Sequence, residues 1–234
     1  MDEVDPLRMA LATDRLGYDV VVLSLELRAE DLDLSELEWL NEELADIQDR
    51  VDALLLPGCK LEAESPSELR RAIARVRPEV YYLAVGGGEP DINRTALSDT
   101  RVDTLSHPER GNPHAGLGKH DIELAREKHT YVEIDLSRLL RRSGERLAWQ
   151  VSRIRDLLRM RRRKRFPVTV ALGSRDPLEL IPPKQLEDVL SLIGLTEEEI
   201  EEVLVESPRE FLRWNVACKH LFVVPGVAVV EDGG

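Results

Sequence analysis

His107 follows a short apolar run, residues 102–105, and stands between Ser106 and Pro108. An imidazole at a strand end could ligate a metal, act as a general base or donate a hydrogen bond to phosphate. A metal site needs three or more ligands, and His114 and His120 are within reach in sequence. The three histidines have no recognised ligand spacing, however. Glu133 and Asp135 lie two residues apart, so one strand face carries both, as acid–base work would require. The plainer reading is preferred: Asp135 or Ser137 caps the next helix and Glu133 pairs with one of the many arginines. No nucleophile–base–acid triad stands out.

Phosphate chemistry has better material. Gly86, Gly87 and Gly88 follow the run 80–85 and lead through Glu89 and Pro90 to Asn93 and Arg94. Glycines let backbone approach a ligand closely, and a helix starting there points its N–H groups outward. The functional reading is a phosphate cradle with Asn93 and Arg94 as polar arms. On the glycine run alone a plain strand-to-helix turn, with Arg94 solvated, is preferred, because the spacing and Lys of a P-loop are missing. Ser174 and Arg175 follow the run 168–172 as small donor and guanidinium fork. Arg138 and Arg141 are three apart on a helix and, with Arg142, form a basic patch.

Charge separates along the chain. The 234 residues carry a net −13, yet residues 138–165 hold eleven Arg and Lys164 against Glu145 and Asp156, a local +10. The remainder therefore carries −23. Ten acids crowd residues 30–52 and nine crowd residues 187–210. Such segregation suits one face for a polyanion and another for solvent or a basic partner. At 4%, the aromatic content argues against a large base-stacking platform. No apolar run approaches the roughly 20 residues of a membrane span. Two distant cysteines, Cys59 and Cys218, make no disulfide framework, and a reducing cytoplasm is the simplest compartment.

The elements that must position these groups are legible. Apolar runs at 20–25, 53–57, 80–85, 102–105, 131–134 and 168–172 start 33, 27, 22, 29 and 37 residues apart, the span of one βα unit. Runs apolar almost throughout read as parallel strands buried on both faces. Ser65-Pro66-Ser67-Glu68 marks a helix start, Ser207-Pro208-Arg209-Glu210 repeats the device, and Thr196 with Glu199 is a further capping box. Leu69, Ile73 and Val76 form one apolar stripe, and Leu147, Val151, Ile154 and Leu158 another. The spacing suggests an α/β barrel, with a doubly wound sheet as the alternative. One domain is expected over residues 1–215, with an apolar tail over 216–234. Functional groups belong just beyond the strands' C-terminal ends.

Several motifs in register then resemble the archaeal and eukaryotic ribonuclease P protein component 3 family. They are Gly87-Gly88 with Asn93-Arg94, residues 101–108, residues 116–121, residues 133–140, residues 168–174 and the closing residues 210–215. The resemblance covers residues 16–215 and implies a TIM-like α/β barrel, incomplete at its N-terminus. It implies a protein subunit of the particle that removes 5′ leaders from precursor tRNA. The particle's RNA does the chemistry with Mg²⁺, and the chain itself has no cofactor, metal or catalytic residue. Expected partners are ribonuclease P RNA, a small α/β protein component and, indirectly, precursor tRNA; no membrane is involved. Candidate RNA-binding residues are Gly87, Gly88, Asn93, Arg94, Ser106, His107, Arg138, Arg141, Arg142, Ser174 and Arg175. Related barrel phosphoesterases carry a His-x-His motif near the N-terminus, which this sequence lacks. The family's first strand has no counterpart before residues 16–18, so the start lies too late or the tail 221–230 closes the barrel. The alternative functions are a barrel metal-dependent phosphoesterase, using His107, Glu133 and Asp135, and a protein-interaction scaffold without RNA.

Overall fold

A computed structural model describes residues 5–110, 116–141, 143–218, 222–224 and 227–228. Six strands alternate with helices: β1 (Val20–Arg28), β2 (Leu54–Glu62), β3 (Tyr82–Gly86), β4 (Thr104–Ser106), β5 (Tyr131–Asp135) and β6 (Val168–Ala171). All six apolar runs became strands. They pair in parallel in sequence order, β1 to β6. A doubly wound sheet would reverse order at a switch point, and this one never does. The sheet curls into an open half-barrel, an incomplete TIM-like architecture.

Helix α1 (Pro6–Arg15) precedes β1, and α2 (Ser35–Gln48), α3 (Pro66–Val76), α4 (Pro90–Ser98), α5 (Lys119–Lys128), α6 (Ser137–Leu140) and α7 (Gly144–Lys164) fill the connections between strands. Ser65 caps α3 by accepting from the Glu68 N–H at 3.3 Å. Leu69, Ile73 and Val76 are fully buried. They join Leu61, Leu83, Val85 and Leu105 in the core between sheet and helices.

Register shows what the inner face carries. Glu26 pairs with Lys60, Gly58 with Tyr82, Gly86 with Ser106, and Ser106 with Glu133. Side chains of paired positions share a face. The outer face is thus Leu, Val and Ile, while the concave face bears Lys60, Glu62, Tyr82, Thr104, Glu133, Asp135 and Thr169. Strands apolar on both faces, as the runs suggested, are not what forms. β1 and β2 extend three and five residues past their runs, into alternating polar sequence.

Helices α8 (Pro183–Ile193), α9 (Glu197–Glu201) and α10 (Ser207–Cys218) follow β6, with one π-helical turn at Glu202–Glu206. Thr196 and Glu199 make the expected reciprocal cap of α9. Ser207 does not cap α10; its φ of −59° is helical and the chain runs through it. Phe211 of α10 packs on Tyr82 and Tyr131, with ring centroids 5.8 and 5.2 Å apart. Tyr131 also donates to Glu210 at 2.6 Å. Helix α10 therefore fills the N-terminal end of the concave face, and the motif at residues 210–215 is what docks it.

The gap between β1 and β6 is spanned by the segment after β6. Arg175 donates to Glu26 at 2.9 Å, and Tyr18 donates to the Ile181 carbonyl at 2.7 Å. Closure by the tail is not seen among the described residues, where β7 (Phe222–Val224) and β8 (Val227–Ala228) form a separate antiparallel pair. The rest of the tail, with His220, lies outside them. No helix among the described residues is long and apolar enough to cross a membrane.

One buried ion pair ties this bottom together. Asp103 accepts from Arg77 at 2.7 Å, from the Leu83 N–H at 2.7 Å and from Asn215 at 2.9 Å. Removing one partner of a buried pair strands the other charge, at a cost of about 3–5 kcal/mol. Asp103→Ala should lose that much in urea denaturation, and a loss under about 1 kcal/mol would show that Arg77 re-solvates freely.

Candidate nucleic-acid interface

The C-terminal mouth of the half-barrel gathers the groups singled out in sequence. His107 adopts φ +53°, the left-handed region that a side chain other than Gly rarely enters. That turn aims its ring across the mouth. Nε2 lies 3.0 Å from Asp135 Oδ2, Nδ1 lies 3.4 Å from Glu109 Oε1, and Lys60 Nζ sits 3.8 Å from Asp135 Oδ2. Burial works against charge on His107, but the hydrogen bonds to Asp135 and Glu109 outweigh it and its pKa rises. Burial likewise opposes the Asp135 carboxylate, yet His107, Ser137 and Lys60 hold its pKa well below the ordinary range.

Glu133 is satisfied differently from expectation. It accepts from the Tyr82 hydroxyl, and Thr104 Oγ1 stands 3.5 Å away, so its hydrogen-bonding neighbours are not arginines. Burial and the nearby Glu133 charge push the Tyr82 phenol well up. Asp135 does cap the next turn, accepting from the Ser137 N–H at 2.8 Å. Between these groups and α7 lies a cavity of about 20 Å³, lined also by Gln150 and Arg153. It is large enough for about one water. Ser106 Oγ and Gln150 Oε1 are buried with no hydrogen-bond partner among the described residues. Among the described residues, no group of three or more His, Cys, Asp or Glu is arranged to hold a metal; His114 lies outside them.

The glycine turn is packed from within. A Cβ on Gly87 would run into Asn93 Oδ1 and Leu105, and Gly88 takes φ +134° beside the Arg110 carbonyl. Asn93 is fully buried. Its Oδ1 accepts from the Gly88 N–H at 2.9 Å, and its Nδ2 donates to the Pro108 and Gly116 carbonyls at 3.2 Å each. The candidate phosphate cradle thus holds the side chain of Asn93, which is a clamp between two loops and not an outward arm. Arg94 is half exposed, with Asp91 at 3.5 Å and Asp121 at 3.8 Å.

Around β6 the donors converge on one acid. Arg141 reaches Glu179 at 2.7 Å and the Gly173 carbonyl at 3.1 Å. The Arg175 N–H meets the same carboxylate at 2.8 Å, and Ser174 Oγ donates to the Glu179 carbonyl. The Arg138 side chain and Arg142 lie outside the described residues. Of the candidates, Gly87, Gly88, Asn93, Ser106 and His107 are interior, while Arg94, Arg141 and Arg175 reach solvent.

The arginine run on α7 is partly neutralised by the acidic segment after it. Arg161 is buried against Glu199 and Glu202, and Arg162 forks onto Glu199 at 2.6 and 2.8 Å. Arg155 closes the C-terminal carbonyls of α8. Arg146, Arg163, Lys164 and Arg165 make no such contact among the described residues. Sequence reasoning passed over Trp149, whose ring lies under the Arg153 guanidinium at 4.9 Å. The i, i+4 spacing of Trp and Arg was the available signal.

An α/β half-barrel with a self-paired mouth and a cationic flanking helix is the class these features define. The model for "RNase P subunit p30" matches residues 1–220, and the chain belongs to that family. Ribonuclease P protein component 3 of Methanopyrus kandleri is 72% identical over 97% of this chain and 93% of its own length. Its counterpart in Methanothermobacter thermautotrophicus is 27% identical over 99% and 92%. Among solved structures, a chain from the cryo-EM structure of archaeal Ribonuclease P with mature tRNA superposes with a TM-score of 0.82. It is 19% identical, covering 99% of this chain and 97% of that one. Histidinol phosphate phosphatase of Lactococcus lactis shares the fold at 0.52 and 12%, covering 92% and 88%.

The mouth has a pH signature. His107, raised when folded, adds stability that is complete below its unfolded pKa of about 6.5 and is lost as pH climbs through the folded value. Asp135, lowered when folded, adds stability that is present above about pH 4 and fades as pH falls through its folded value. His107→Gln should therefore cost about 2 kcal/mol near pH 5.5 and less near pH 8.5 in chemical denaturation. A gap that widens with pH would mean a neutral imidazole.

Proposed function

We propose that this ribonuclease P subunit is a scaffold for the particle's RNA and contributes no catalytic group to cleavage. Partners in this reading are the catalytic RNA and the other protein components, including a small α/β one. Precursor tRNA is met through the particle, in a non-membrane, reducing compartment. The name of the M. kandleri relative supports the assignment. The observation that carries the reading is the mouth: His107, Glu109, Lys60 and Asp135 are spent on one another. A barrel hydrolase keeps such groups open to its substrate at that end, whereas these are already paired.

In such a particle, exposed guanidinium groups on α7 offset the repulsion between RNA phosphates that Mg²⁺ otherwise neutralises. Precursor-tRNA cleavage reconstituted with and without the chain, across a Mg²⁺ titration, tests this. The chain should shift the Mg²⁺ requirement severalfold downward while leaving the saturated chemical step unchanged. An identical Mg²⁺ dependence in both mixtures would sink the scaffold reading.

A further inference from the structure

We propose that Trp149 is a base-stacking subsite, where one unpaired nucleobase of RNA lies on the indole while α7 cations hold the flanking phosphates. The inference rests on the RNA-scaffold reading and adds the surface and the mode of contact.

Trp149 is 48% exposed, on a helix whose opposite side buries Ile154, Leu157 and Leu158. The Arg153 guanidinium sits over the ring at 4.9 Å. Arg153 also lines the small cavity beside Asp135 and Glu109. A ring held by a cation leaves its exposed surface as a π-face that any base can cover. At 100° per residue, Arg146, Trp149, Arg153, Arg163 and Lys164 fall within a sector of about 100° on α7. From Trp149 to Arg163 the rise is about 21 Å. The acids on this side are Glu145 and Asp156, and Asp156 is taken by Arg159. The result is an aromatic ring at one end of a cationic stripe whose distal members, Arg163 and Lys164, carry no ion pair among the described residues.

An acidic protein segment would use the stripe but has no need of the ring. Stacking is what separates RNA from a peptide here. Trp39 and Trp214 are exposed as well, yet neither has a cation over its ring among the described residues.

The test uses the full chain with Trp39→Phe and Trp214→Phe, which leaves Trp149 as the sole indole. Transcribed ribonuclease P RNA should quench its fluorescence on binding, and inorganic polyphosphate should not. Trp149→Ala should weaken RNA affinity about tenfold with an unchanged salt slope, and Trp149→Tyr should restore most of the loss. Arg163→Ala with Lys164→Ala should flatten the log–log salt slope by about 1.4 without removing the quench. RNA affinity unchanged in Trp149→Ala, or equal quenching by polyphosphate, would overturn the subsite alone. No RNA binding by the wild-type chain, alone or with the other protein components, would overturn both the subsite and the scaffold reading beneath it.

Discussion

Charged side chains on the concave face of a parallel half-barrel must find their partners inside it, and this constraint organises the molecule. Desolvating a carboxylate or ammonium is costly unless an opposite charge and hydrogen bonds meet it. At the mouth, His107 satisfies Asp135 only by accepting a left-handed backbone, and Lys60 adds the third charge. At the opposite end, Arg77, Asn215 and the Leu83 N–H surround Asp103. Helix α10 is held there by Glu210 and Phe211 as well, so polar satisfaction and packing fix the same element.

The same logic reshapes the charge map. In sequence, twelve cations against two acids between residues 138 and 165 read as one surface for a polyanion. In three dimensions the run divides. Arg161 and Arg162 close onto Glu199 and Glu202, so one acidic stretch serves as an internal counter-charge. Arg141 and Arg175 meet at Glu179, partly exposed, where an ion pair contributes little to stability. Among the described residues, what remains outward without an ion pair is narrower: Arg146 near Trp149, and Arg163, Lys164 and Arg165 at the far end of α7.

Strand positions and several helix starts were legible because they depend on local patterns. Six apolar runs at βα spacing placed six strands, and Ser65 and Thr196 cap as their neighbours require. Three features were not legible. Ser207 looks like a cap in sequence, yet α10 continues from the turn before it because Phe211 and Asn215 dock further on. Asn93 looks like a ligand arm, and only the approach of residues 108 and 116 turns it into a clamp. The alternation in β1 and β2 lies just past the apolar runs, so the polar inner face escaped a reading based on the runs alone. The first two misses came from contacts distant in sequence, and the third from local pattern lying outside the runs.

We propose that the barrel mouth is a structural ion network and not a reaction centre. The most direct measurement is phosphodiester hydrolysis by the full chain after nuclease treatment, using bis(p-nitrophenyl) phosphate and precursor tRNA with Mg²⁺, Mn²⁺ or Zn²⁺ supplied. The account expects no turnover above the metal-only background, in wild type and His107→Gln alike. Hydrolysis by the wild-type chain that disappears in His107→Gln would contradict it.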